Sequence, residues 1–388
     1  MEKKEYGLVL AGGGTKGAFQ VGVWKALTEL NINIKCIAGV SIGALNGALF
    51  LQNNIKEVER LYKNISITNI MEINQKIDEN KNIFDVENIK SLAIDFAKEK
   101  GLDNTPLREL LNKYVDVDKI YNSDIDFGLL AFSVKTRTPL KAFKKDIPKD
   151  QMIDYLLASS CFPIFKPQKI GNEEYLDGGL YDNVPVNLLA ENGYKNIIVA
   201  DISGVGVKKK IEHKGIYIKV ISPSEDLGGT FEFDHERIKR NMYLGYLDTM
   251  RSFNKLEGHI YYFSNLEFIK MMDVFNLNTI YGLEYAAQIY SINKYKIYGF
   301  EEFINELKNK HLEAQRKYDE IRKDLNIKKI WQFRSKMDEI FDKGLGLCLV
   351  KDIYLDNPLG TKLKYLKHYV NDYVIAAKAI IEMLNYVD

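Results

Sequence analysis

The sequence predicts an α/β protein: a mainly parallel sheet layered between helices, followed by a mainly helical C-terminal region. Three observations carry this. The first 60 residues alternate apolar strand and helix, short apolar runs return between residues 127 and 222, and from about Glu232 the pattern is helical almost to the end. At 388 residues the chain has room for one large domain or two ordinary ones.

In chain order, "YGLVLA" reads as a buried strand, "KGAFQVGVWKALTELN" as a helix, "IKCIAGV" as a second strand and "IGALNGALFLQ" as a second helix. From Asn53 to about Asp118 the periodicity is helical with polar faces. This predicts a helical insertion, about 53–120, in which Ile70, Met71, Phe84 and Phe96 are available to line a groove or fill core. Strands are expected at 127–134, 140–143, 196–201 and 216–222, with a helix near 150–159 and six or so strands in all. The composition changes after "SPSEDLGG", which sets an expected boundary between a core of residues 1–228 and a helical region of 229–388, broken by a candidate strand at 258–264. Within that region the Lys-rich stretch 323–336, with Trp331, is the best candidate for a partner-facing or membrane-facing helix, against the plainer role of a solvated charged face.

Lys and Arg number 54 against 53 Asp and Glu, a net charge of +1. That balance excludes a general attraction to nucleic acid or to an anionic membrane, so any charged partner must be met locally. The three cysteines (Cys36, Cys161 and Cys348) are too few and scattered for a disulfide framework or a metal site, which predicts a reducing, cytoplasmic setting and no metal. The apolar run before the first glycines is too short for a signal peptide, and no stretch reaches the roughly 20 apolar residues of a membrane span.

Gly12, Gly14 and Gly17 spell G-x-G-x-x-G between a strand and a helix. Such glycines let backbone amides approach a pyrophosphate, but a dinucleotide site also needs an acidic residue at the end of the second strand, about 20 positions on. The second strand ends instead in Gly39-Val40-Ser41-Ile42-Gly43, a G-x-S-x-G sequence in the strand-to-helix context of a nucleophile elbow. A nicotinamide-dependent oxidoreductase is therefore the weaker reading, and no cofactor is expected. A serine nucleophile needs a base. The histidines (His213, His235, His259, His311 and His368) all follow residue 212, and none sits in an evident catalytic loop. Asp177 is the better candidate, because a short strand delivers it into the Gly178-Gly179 turn, where a carboxylate can approach another loop. Asp182 and Asp201 are rival bases. Asn183 and Pro185 are expected to fix the loop that holds Asp177, and Lys16 to meet a phosphate or simply to face solvent.

At "GGGTKG" (12–17), "GVSIG" (39–43) and "DGG" (177–179), in that order, the sequence resembles the patatin-like phospholipase family, and "ASSCFPIFKP" and "YDNVPV" add to the likeness. The resemblance extends from about Tyr6 to about Ser222. It implies a three-layer α/β/α patatin-like core with Ser41 as nucleophile, Asp177 as base and an oxyanion hole at Gly12, Gly13 and Gly14, in which the amides of Gly13 and Gly14 donate and Gly12 shapes the loop. Lys16, Gly17 and Ile42 are further candidate substrate or loop contacts. It also implies lipid acyl hydrolysis of the phospholipase A or lysophospholipase type, with a lipid substrate, peripheral membrane contact and no nucleic acid. A non-catalytic lipid-sensing or interaction protein on the same core is the alternative.

Overall fold

A computed structural model describes residues 4–72, 101–324, 344–356 and 371–387. Phe84, Phe96, Trp331 and most of the Lys-rich stretch lie outside the described residues. The chain divides into two compact units, Met1–Met250 and Arg251–Asp388.

The first unit is built on an eight-stranded sheet: β1 (Glu5–Leu10), β2 (Asn33–Val40), β3 (Asp126–Ser133), β4 (Pro139–Phe143), β5 (Gln168–Ile170), β6 (Glu173–Asp177), β7 (Asn196–Ala200) and β8 (Tyr217–Ile221). Its order is β5-β6-β3-β2-β1-β7-β8, with β4 also on β3. The centre, β3-β2-β1-β7-β8, is parallel, whereas β4, β5 and β6 run antiparallel at one side. β6 is the short strand expected before the Gly178-Gly179 turn, and β5, with three residues, carries too little pattern to register as a period of two. Leu8, Val9, Leu10, Ile37 and Ala38 are fully buried, as a parallel sheet covered on both faces requires.

Among the described residues, helices α1 (Ala18–Glu29), α2 (Ile42–Phe50), α3 (Ile55–Asn64), α4 (Thr105–Tyr114), α5 (Val117–Asn122), α6 (Met152–Ser159), α7 (Val186–Glu191) and α8 (His235–Ser252) accompany the sheet. Of 53–120, the described residues carry α3, α4, the start of α5 and a short helical turn at Ile67–Asn69. The unit runs past the composition change at 228 because α8 packs on α1. A side chain at Gly22 would strike the backbone of Met242 and Gly245, and one at Gly245 would strike Phe19.

In the second unit, α9 (Asn265–Val274), α10 (Leu277–Ile289), α11 (Phe300–Asp324), α12 (Leu345–Asp356) and α13 (Asn371–Val387) accompany a small sheet of β9 (Leu256–Glu257), β10 (Tyr262–Ser264) and β11 (Ile297–Tyr298). Its core is rich in aromatic residues, among them Tyr261, Phe263, Tyr298 and Phe303. Buried Glu284 accepts backbone N–H bonds from His259, Ile260 and Tyr261. His311 lies between Tyr290 and Lys351, and burial with that ammonium pushes its pKa down to about 3.

Candidate active site

Ser41 ends β2 and caps α2 with φ 55° and ψ −130°, a conformation that costs a non-glycine residue about 1–3 kcal/mol. Its surroundings hold it there. The Ser41 amide donates to the Ser159 carbonyl at 3.1 Å, and the Ser159 hydroxyl donates to the Leu130 carbonyl at 2.7 Å. A side chain at Gly39 would meet the backbone of Gly43, and one at Gly43 would meet the carbonyl of Leu10. The turn is therefore tight on both flanks of the serine. The Ser41 side chain makes no capping bond to α2, so its hydroxyl is left for another partner near the positive end of the helix.

That partner follows from sheet register. Val40, the last residue of β2, pairs with Leu130 of β3, and Asp177, the last of β6, pairs with the next residue, Ala131. Because β4 fills the opposite edge of β3 along Gly128–Phe132, β2 and β6 meet end to end on one edge. Two residues 136 positions apart in sequence thus emerge side by side. The Ser41 hydroxyl bonds the Asp177 carboxylate, which also accepts the Gly179 amide at 2.8 Å. Asp177 is 4% exposed. Burial drives its pKa from 3.8 up to about 6, against the lowering effect of these two hydrogen bonds.

The glycine loop closes the third side. Gly12 donates its amide to the Asn183 carbonyl at 3.2 Å, and the Asn183 side-chain nitrogen donates to the carbonyls of Gly12 and Gly204, each at 3.2 Å. Asn183, 2% exposed, therefore ties the glycine loop to the Asp177 turn. Gly14 adopts φ 59°, where an added side chain would also strike Thr230, and the next amide, Thr15, donates to the Thr230 carbonyl at 2.8 Å. The amides of Gly13 and Gly14 have no hydrogen bond to any described residue, and both glycines line a cavity together with Ser41 and Asp177. The Gly12 amide is engaged by the Asn183 carbonyl, so this glycine shapes the loop while Gly13 and Gly14 face the cavity.

The cavity has a volume of about 230 Å³ and a mostly apolar wall that includes Ile42, Leu45, Phe162 and Phe231. The insertion supplies Ile65, Ile70 and Leu107; Met71 is instead buried in a cluster with Phe165 and Phe231. Lys16 does not line the cavity, and its ammonium donates to the Ser203 carbonyl at 3.5 Å. Gly17 packs against Ile42 and accepts at its carbonyl from Asn46. Asp182 accepts from the amides of Val184 and Lys209 and faces a different pocket, while Asp201 pairs with Lys208 at 2.6 Å. His213 and His235 are exposed and line no part of the cavity.

Sequence reasoning missed the support beneath the loop. Gln20 donates to the Ala11 carbonyl at 2.8 Å, Asn46 to Gln20 at 2.9 Å, and Tyr62 to Asn46 at 2.8 Å, all buried. Polar residues at helical spacing with no neighbouring charge give no signal until the helices are packed. The same holds for Ser159, which anchors the serine turn from 118 residues away.

The family described as patatin-like phospholipase matches residues 8–190. Lysophospholipase nte1 of Aspergillus terreus is 56% identical over 50 residues, 13% of this chain and 3% of that protein. Lysophospholipase NTE1 of Debaryomyces hansenii is 28% identical over 211 residues, 53% of this chain and 12% of that protein. Patatin-like phospholipase domain-containing protein 7 of Rattus norvegicus is 48% identical over 60 residues, 16% of this chain and 4% of that protein. The chain thus spans a small fraction of the length of these curated relatives. Among solved structures it is similar to VipD from Legionella pneumophila, with a TM-score of 0.42 and 15% identity over 98% of this chain and 90% of that one.

Proposed function

We propose, from the match of residues 8–190 to the patatin-like phospholipase family, that the protein is a serine acyl hydrolase of the phospholipase A or lysophospholipase type, cleaving fatty acyl esters of membrane lipids through a Ser41–Asp177 dyad. The observation that carries this is an apolar cavity lined together by Ser41, the buried carboxylate of Asp177, and Gly13 and Gly14, whose amides have no partner among the described residues. The relatives named lysophospholipase support the substrate class.

Asp177 takes the hydroxyl proton as Ser41 Oγ attacks the acyl carbonyl carbon, and the Gly13 and Gly14 amides donate to the oxyanion. Collapse expels the lipid alcohol, which receives the proton from Asp177 and leaves the acyl group on Ser41. Water then attacks the acyl-enzyme, giving its proton to Asp177. Fatty acid and free serine result. A base with a pKa near 6 is ionised at neutral pH yet basic enough to accept a proton. Ile42 and the apolar wall hold the acyl chain, with Phe231, Phe233 and Ile238 adding wall from beyond the residue 1–228 core. A cytoplasmic setting with peripheral membrane contact goes with this reading. Three free, buried thiols support a reducing compartment, and no helix among the described residues is long and apolar enough to cross a membrane.

Labelling with a fluorophosphonate and hydrolysis of a nitrophenyl ester test the reading. Wild type is expected to label and turn over, and Ser41→Ala to do neither. Persistent labelling of the alanine variant would refute the assignment.

A further inference from the structure

Between β7 and β8 the chain runs through residues 202–216 with no regular secondary structure, longer than an ordinary strand connection. With Asp201 at its start, the connection carries four lysines against one aspartate and one glutamate, in a chain whose net charge is only +1. Every residue from Val205 to Gly215 is exposed, including Val205 at 78%, Val207 at 47% and Ile211 at 48%. Exposed aliphatic side chains interleaved with lysines are a costly surface for water alone to cover.

The segment is nonetheless fastened at defined points, all on the Asp177 side of the molecule. Val207 exchanges backbone bonds with Asn183 and Gly179 at 2.6 and 3.0 Å, and Asn187 holds the Lys210 carbonyl and the Glu212 amide at 2.8 and 3.0 Å. Val205 and Gly206 themselves line the cavity. Outward cations and aliphatic groups are therefore continuous with the wall of the cavity. Lys208 is paired with Asp201, and Lys209 lies 4.4 Å over the Tyr181 ring. Lys210 and Lys214 have no ion pair among the described residues.

We propose that this loop is the face by which the protein docks on an anionic lipid bilayer, with Lys210 and Lys214 meeting headgroup phosphates and the exposed valines entering the interface. The inference rests on the hydrolase reading in one respect: a bilayer is the occupant because the cavity opening beside the loop would have to receive an acyl chain from one. Local charge of this kind supplies the attraction that the near-neutral chain lacks overall.

Sedimentation with phosphatidylcholine vesicles, with and without phosphatidylglycerol, tests it on the full chain. Wild type is expected to bind the anionic vesicles at low salt, to release as salt screens the headgroups, and to bind neutral vesicles far less. Lys210→Gln/Lys214→Gln should weaken anionic binding by roughly 25-fold, about fivefold per lysine, with turnover of a soluble nitrophenyl ester unchanged. Equal binding by the double variant, or equal binding of wild type to neutral vesicles, overturns the proposal. Lysine-dependent binding by a protein that cleaves no ester upholds the docking face and removes the hydrolase reading instead.

Discussion

At Ser41 the cost of the site is stored in the backbone, since a non-glycine residue is held at φ 55°. At Asp177 the backbone is relaxed, with φ −51° and ψ 130°, and the cost lies in the side chain, a carboxylate so buried that its pKa rises to about 6. The two turns face each other across the same bond, yet they depend on different physics. Strain is enforced within a few residues by glycines and close backbone contacts. Desolvation is enforced by whatever covers the carboxylate, here strand ends and loops gathered from the whole sheet.

Substitutions at Ser41 separate the two costs most sharply. Ser41→Ala should lower ester turnover by at least about 10⁴-fold, the scale seen when a serine nucleophile is removed. Ser41→Gly should be equally inactive and, with no Cβ to strain, more stable than Ser41→Ala by about 1 kcal/mol in denaturant unfolding. Equal stability of the two variants would mean that the backbone stores nothing there.

Asp177→Asn comes next. The loss of a general base should reduce kcat by about 10²- to 10⁴-fold. Its effect on stability should have the opposite sign. The folded-state pKa, about 6, lies above the 3.8 of an ordinary aspartate, so folding favours the protonated acid. That contribution is complete below about pH 4 and is lost as the pH rises through 6. At pH 8 wild type therefore carries a penalty of about 3 kcal/mol, from two pKa units at about 1.4 kcal/mol each, and the amide variant escapes it. Asp177→Asn should melt higher than wild type at pH 8 and no higher at pH 4. The same titration predicts that wild-type kcat/KM falls with unit slope below about pH 6.

The difference between the turns also explains what could be read from the sequence. The serine turn is written locally: Gly39, Ser41 and Gly43 lie between a strand and a helix, and the steric need for both glycines is met within the elbow and by Leu10 of the neighbouring strand. Asp177 was legible only through its glycine turn. What brings it to Ser41 is the end-to-end meeting of β2 and β6 on β3, a matter of register over 136 residues that no local pattern encodes. Asn183 shows the same limit: its bonds to the Gly12 carbonyl and amide reach across 171 residues, and no local pattern encodes them.

Gly14→Ala and Asn183→Ala probe the loop between the two turns. The first puts a side chain at φ 59° against Thr230 and should displace an oxyanion donor, costing about 10²- to 10³-fold in kcat. The second leaves the buried carbonyl of Gly12 and the partly buried carbonyl of Gly204 without their side-chain donor, a loss of about 1–3 kcal/mol in stability. Its kcat should fall about tenfold with little change in KM, because Asn183 positions amides whose bonds strengthen only toward the transition state.

The smallest effect is expected at Asp182, and it is the sharpest control. Like Asp177 it is 4% exposed, and burial raises its pKa. Burial and a shifted pKa are therefore common to both aspartates, and they differ in what they face. Asp182 accepts the amides of Val184 and Lys209 at 3.2 and 3.3 Å, bonds that an amide oxygen can also accept, and it borders a separate pocket with Lys141 and Lys209. Asp182→Asn should change ester turnover by less than about twofold, as expected of a group that does not act in the transition state. A hundredfold loss would show that a buried carboxylate can serve Ser41 without sharing its cavity, and the contrast between the two turns would no longer identify the base.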